Sequence, residues 1–183
     1  MPPKQRITRE MILEKSFDMF RTEGMDGVNA RSVAKALDCS TQPIFSYFQG
    51  MDDLKGALEQ RAKQVFVEAV TAVANGGLGK VCSAYVRFAT EQPRIFAHLF
   101  MQIGRESIGE PLSRELRAHV TQLEARREGL NDEQAKDLCS SVWVYAHGLA
   151  AACAVGILRL GEEQTTSRIA RQLEGALLCI RHA

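Results

Sequence analysis

Between Ser40 and Tyr47 the chain gathers side chains able to read a hydrogen-bonding surface. Gln42 can donate and accept in one bidentate pair, which suits adenine N6 and N7 in a major groove. Thr41 can bond a base edge or a phosphate, and the Pro43 ring can pack on a thymine methyl. Ser46 and Tyr47 add further hydrogen-bonding groups, and Phe45 an aromatic edge. Ser40 fits an N-cap, where it leaves backbone N–H groups free to meet a phosphate.

Other chemistry does not assemble along the chain. There is no G-x-S-x-G, no H-E-x-x-H and no G-x-G-x-x-G behind a strand. Gly79-Lys80 is like the end of a phosphate loop, but Val81 replaces the needed Ser or Thr, and Ala74 stands where the first Gly belongs. The 5 cysteines, Cys39, Cys82, Cys139, Cys153 and Cys179, form no C-x-x-C pair and no zinc-ligand spacing. They read as reduced thiols acting as small hydrophobes. No catalytic residue, metal or cofactor is expected, so the chain does not read as an enzyme. The alternative to DNA reading is a helical protein-interaction adaptor, which a gel shift separates.

The elements that must position these residues are helices. The 183 residues bound one compact unit or two small packed ones. Hydrophobic residues make up 45% and charged residues 25%, a globular balance. Lys and Arg number 23 against 22 Asp and Glu, so a strongly basic coat is excluded but a local basic patch is not. The N-terminus has no apolar h-region of a secretory signal, and a cytoplasmic location is expected. Residues 142–158 are apolar apart from His147, but too short and Ala/Gly-rich for a span, and read as a buried helix.

Periodicity predicts an all-α fold. Thr8 caps a first helix over 9–22, with Leu13, Phe17 and Phe20 inward and Ile12 and Met19 widening the stripe. Short helices follow over 30–37, opened by Asn29, and over 41–47, with Pro43 in the first turn. Asp52 and Asp53 start a long helix from 51 to about 74. Asn75-Gly76-Gly77 reads as a linker between two helical parts. Further helices are expected over 78–90, 93–105, 111–128, 132–160 and 162–182.

Two short helices joined by three residues, behind a longer first helix, form a helix-turn-helix over about 29–48. Residues 8–54 resemble the DNA-binding domain of the tetracycline-repressor (TetR) family of bacterial transcriptional regulators. The resemblance rests on Phe17-x-x-Phe20, Gly24, Val28, Arg31-Ser32-Val33-Ala34, Leu37, the run Ser40 to Phe48, and Asp53-Leu54. It implies a DNA-binding domain over 1–54 and an effector-binding and dimerisation bundle over 55–183. Three positions depart from the family pattern. Asp38 stands for the usual turn Gly, Phe45 for the recognition-helix Tyr, and Met51 for the Lys that opens the next helix. Affinity is therefore expected to lean on Arg31 and on Lys4, Arg6 and Arg9 near the N-terminus.

Trp143-x-x-x-His147-Gly148 is similar to the Trp/His-Gly signature of one C-terminal class of the family. At i, i+4 the two rings share a helix face. Together with Tyr85, Phe88, Phe96, His98, Phe100 and Met101 they could line a cavity for an apolar or aromatic effector, though such residues also serve as plain core. The expected dimer interface comprises Ala151, Val155 and Leu158 with the stripe Ile169, Leu173, Ala176, Leu177 and Ile180; burial of both stripes within one monomer is the alternative. The resemblance implies a homodimeric repressor that binds an inverted-repeat operator in double-stranded DNA and is released by a small molecule, with no membrane partner.

Overall fold

The computed structural model of the chain describes residues 7–101 and 113–182. Among them helices carry the whole architecture and no strand occurs. The packing divides the chain into two compact units, Met1–Gln64 and Val65–Ala183. Lys4 and Arg6 lie outside the described residues, as do the expected helix end at 105 and helix start at 111.

In the first unit, α1 spans Arg9–Glu23 and opens with Thr8, whose Oγ1 accepts from the Met11 N–H at 3.3 Å. It buries Ile12, Phe17, Met19 and Phe20 and stops at Gly24, where φ is 85°. A 3-10 turn, Met25–Gly27, leads to α2, Ala30–Ala36. A reciprocal cap opens α2: Ser32 N–H donates to Asn29 Oδ1 at 3.0 Å, and Asn29 N–H to Ser32 Oγ at 3.1 Å. α3 spans Gln42–Tyr47, and α4 spans Met51–Thr71. Ile12, Phe20, Val33, Ile44, Phe48, Leu54 and Leu58 form the core of this unit.

α4 buries every fourth residue: Leu54, Leu58, Ala62, Phe66 and Val70. Its start is set by Asp53, whose Oδ2 accepts from the Gln49 N–H at 2.9 Å and whose charge suits a helix N-terminus.

The second unit is built on α5, Leu78–Glu91, which packs on α6 (Pro93–Phe100), α8 (Asp132–Ala154) and α9 (Glu162–His182). α7, Arg114–Glu128, packs on α8 and on the corner before α5. α5 buries Leu78, Val81, Cys82, Ala84, Tyr85, Val86, Phe88 and Ala89. The fully buried Ala135, Ala146 and Ala150 on α8 keep its inward face small enough for close helix approach.

The Asn75-Gly76-Gly77 segment is a packed corner inside this unit. A 3-10 turn, Ala74–Gly76, ends at Gly77, with φ 85° and ψ −173°. Buried Glu124 of α7 accepts the Leu78 N–H at 2.8 Å, so a carboxylate from elsewhere caps α5. Arg127 donates to the carbonyls of Gly76 at 3.0 Å and Asn75 at 3.2 Å, and His119 bonds the Asn75 amide oxygen at 3.1 Å. A Cβ at Gly77 would land on Glu124 Oε1 and Arg127 Nη1. The reading of these residues as a linker between parts is corrected by that clamp.

Two further expectations change. α8 stops at Ala154 rather than running to 160, because the chain turns through Gly156 at φ 78°. This shortens the apolar run, and among the described residues no helix is long and apolar enough to cross a membrane. Ser40 does not cap α3; Thr41 holds that position, with no side-chain cap bond.

Candidate nucleic-acid interface and aromatic core

Val33 and Ala34 of α2 and Ile44 of α3 are buried, fixing the two short helices in the core of the first unit. The turn between them needs one left-handed residue. Asp38 supplies it at φ 50°, the one non-glycine among the described residues with positive φ. The turn is closed by Asp38 N–H to the Lys35 carbonyl at 3.2 Å and Cys39 N–H to the Ala34 carbonyl at 3.0 Å.

With Ile44 anchored inward, the rest of α3 is left outward. Gln42 and Ser46 are exposed, Thr41 and Pro43 are half-buried, and Ser40 is exposed before the helix. Ser46 Oγ donates to the Gln42 carbonyl at 3.0 Å, leaving the hydroxyl lone pairs open to a donor. Phe45 is 51% exposed, so it belongs to the surface and not to the core. Tyr47 is also exposed, and its hydroxyl donates to the Ile7 carbonyl at 3.2 Å. That bond ties the end of α3 to the segment before α1. Arg31, on the first turn of α2, is exposed. Arg9 lies with its guanidinium 4.8 Å from the centroid of the buried Phe48 ring, a cation–π contact. A cleft of about 830 Å³ runs beside the turn, lined by Leu37, Cys39, Ser40, Gln42, Ser46 and Tyr47 among others.

The second unit brings most of the sequence-predicted aromatic residues together. Tyr85 is fully buried, with Trp143 at 4.5 Å and Phe96 at 5.3 Å between ring centroids. Its hydroxyl bonds His147 Nδ1 at 2.9 Å. Phe66 joins Tyr85, Phe88 and Phe100 edge-on, with centroids 4.8–5.8 Å apart. Phe96 contacts Phe100 at 5.1 Å. Tyr85, Phe66, Phe88 and Phe96 form a buried floor, while Phe100, Trp143 and His147 are half-buried. Met101 follows α6 at 36% exposure, and His98 is buried on α6. Phe66 stands outside the expected lining, and the every-fourth-residue stripe of α4 is the signal that places it there.

Burial sets the protonation of this core. It raises the Tyr85 phenol well above its ordinary range, with Cys82 adding to the effect, and it lowers the His147 imidazole. Both are therefore neutral near pH 7. Burial also raises the Cys82 thiol, reinforced by Cys139 and Glu124, and raises Cys139 itself. Neither is a ready thiolate.

The residues expected at a dimer interface fall into different places. Ile169 and Leu177 are buried inside the unit. Leu173 faces Gly79 of α5. Ala151, Ala176 and Ile180 are half-buried. Val155 is exposed in the turn after α8, and Leu158 lies beyond that turn. Val144 on α8 and Leu178 on α9, absent from the expected set, are 68% and 58% exposed. A cleft of about 530 Å³ lies between α5 and the start of α9, with Lys80, Ser83, Arg87, Thr165 and Thr166 in its walls.

No curated protein matches the chain by sequence. Solved structures match its fold. A protein from Pseudomonas aeruginosa PAO1 assigned as a transcriptional regulator aligns with TM-score 0.67 at 15% identity, covering 97% of this chain and 96% of its own. A TetR-like transcriptional regulator from Rhodococcus sp. RHA1 aligns with TM-score 0.65 at 16% identity, over 94% and 99%. The TetR regulator SCO7222 from Streptomyces coelicolor aligns with TM-score 0.63 at 18% identity, over 94% and 98%. The model of the tetracyclin repressor-like C-terminal domain matches residues 78–175, from the first residue of α5 into α9. With more than half of its length matched, and a helix-turn-helix in the preceding unit, the chain belongs to the tetracyclin repressor-like family of transcriptional regulators.

Proposed function

We propose that this regulator is a homodimeric repressor that reads an inverted-repeat operator through α3 and leaves it when a small apolar or aromatic effector enters the second unit. The observation that carries the reading is α3 itself: anchored by Ile44, it leaves Gln42, Phe45 and Ser46 exposed beside a tight turn that Asp38 shapes with its left-handed backbone. Residues 1–54 carry DNA reading, and 55–183 carry effector binding and dimerisation. Each subunit places one α3 in a major groove, on half-sites about 34–36 Å apart or at a related spacing. The effector lowers operator affinity by its differential affinity for the two states. A cytoplasmic location follows from this role.

Gln42 reads a base, Thr41 a base edge or phosphate, and Ser40, Arg31, Lys4 and Arg6 hold phosphates. Tyr47 acts mainly by fixing the segment before α1, through its bond to Ile7. For the dimer, Val144 and Leu178 offer exposed apolar surface, with Ala151, Ala176 and Ile180 half-buried on the same two helices.

The test is a binding series on DNA flanking the chain's own gene, at several salt concentrations. Specific, salt-sensitive retardation is expected. Gln42→Ala should cost about 1–3 kcal/mol on the cognate site and relax one base pair per half-site. Loss of retardation at low salt for the unaltered protein would leave the adaptor reading standing. If Gln42→Ala weakens all sequences equally, base readout belongs to another residue. Leu178→Glu should give monomers in sedimentation, because a carboxylate is costly to bury in an apolar interface.

A further inference from the structure

The Tyr85–His147 pair lies within the half-buried aromatic wall made by Phe100, Trp143 and His147 itself. Its hydrogen-bond direction follows from elimination. Among the described residues the Tyr85 hydroxyl has one partner, His147 Nδ1, at 2.9 Å. If Nδ1 carried the proton and donated, the buried phenolic hydrogen would be left without an acceptor, which is costly in an apolar surround. The phenol therefore donates, Nδ1 accepts, and the ring proton is on Nε2. Nε2 has no hydrogen-bond partner among the described residues, and His147 is only half-buried.

We infer that His147 Nε2–H is a fixed, neutral hydrogen-bond donor in this aromatic wall, and that the effector is a flat aromatic molecule carrying a hydrogen-bond acceptor such as a carbonyl oxygen. The inference rests on the proposal that this core is the sensor. Tyr85 is a positioning residue here: it fixes which nitrogen of His147 faces a ligand as a donor. Trp143 and Phe100 supply the stacking surface, which every flat aromatic ring can use. Among the described residues the polar selection comes from this N–H, because a site built to donate rejects a ligand that also donates.

Three planar molecules of nearly equal shape test it: fluorenone, which accepts; carbazole, which donates; and fluorene, which does neither. Equilibrium dialysis gives the affinity of each for the full chain. Fluorenone is expected to bind about tenfold tighter than fluorene, with carbazole weakest. Tyr85→Phe releases the tautomer, so carbazole should gain severalfold relative to fluorenone, and His147→Phe should level the three. The 15N shifts of the His147 ring, measured without any ligand, should show Nε2 protonated in the wild type and a mixture in Tyr85→Phe. Equal binding of all three overturns the donor and leaves the sensor proposal intact. Carbazole binding tightest, or Nδ1 protonated in the 15N spectrum, overturns the tautomer. Binding of none of the three overturns the sensor site and the ligand assigned to it, while the ligand-free 15N spectrum decides the tautomer separately.

Discussion

Two corners of this chain use left-handed backbone in opposite ways. Asp38, before α3, stands at φ 50°, and Gly77, before α5, at φ 85°. The Asp38 side chain is exposed, and its turn is closed by backbone bonds to Ala34 and Lys35, a few residues back. Gly77 is buried in contact with α7, at a φ and ψ essentially reserved for glycine. The first corner is set by its own neighbours and has room for a side chain. The second is set by Glu124 and Arg127 from a remote helix and has none. The turn between α2 and α3 can vary its residue for that reason, while the corner of the second unit cannot.

The sharpest way to break this contrast is Gly77→Ala. Backbone strain and a Cβ against Glu124 and Arg127 should together cost about 4 kcal/mol. Urea unfolding followed by Trp143 emission reports the second unit alone, since Trp143 is the only Trp. A loss below about 1 kcal/mol would mean the corner relaxes freely. Glu124→Ala comes next, at about 2–3 kcal/mol, because a buried N–H loses a charged acceptor. The double variant should lose less than the sum, since truncating the Glu124 side chain removes one of the atoms in the way. Strict additivity would separate the strain from the clamp.

On the other side of the contrast, Asp38→Ala should cost only about 1 kcal/mol, the ordinary left-handed penalty. Hydrogen exchange of the α3 amides measures it. Asp38→Gly should change the same exchange by less than about 0.5 kcal/mol, relief of strain being offset by a freer unfolded chain. A large gain from Asp38→Gly would show that the turn is more strained than its exposure implies.

What the sequence made legible follows the reach of the forces. Helix starts are local: Thr8 and Asn29 each accept from the N–H three positions on, inside their own helices, so the nearby sequence locates them. The exposed face of α3 is equally local, since one inward Ile44 determines it. Asn75-Gly76-Gly77 misled because its partners stand 44–52 positions away. The Trp143–His147 pair was legible at i, i+4, but the Tyr85 hydroxyl that orients it comes from 62 positions upstream. Ile169 and Leu177 look alike as an interface stripe or an inner core; only the packing of α9 on α5 and α8 places them inside. The apolar run beyond Ala154 hid the stop at Gly156, whose positive φ no periodicity reveals.

The Glu124 clamp also sets an order in time. The carboxylate that caps α5 is encoded 46 positions after the N–H it serves. At about 5–20 residues per second of synthesis, the start of α5 waits roughly 2–9 s before α7 exists to close it. The first unit holds its core within its own segment and needs no such wait. During that interval the start of α5, a helix with a long apolar face, lacks the carboxylate that caps it.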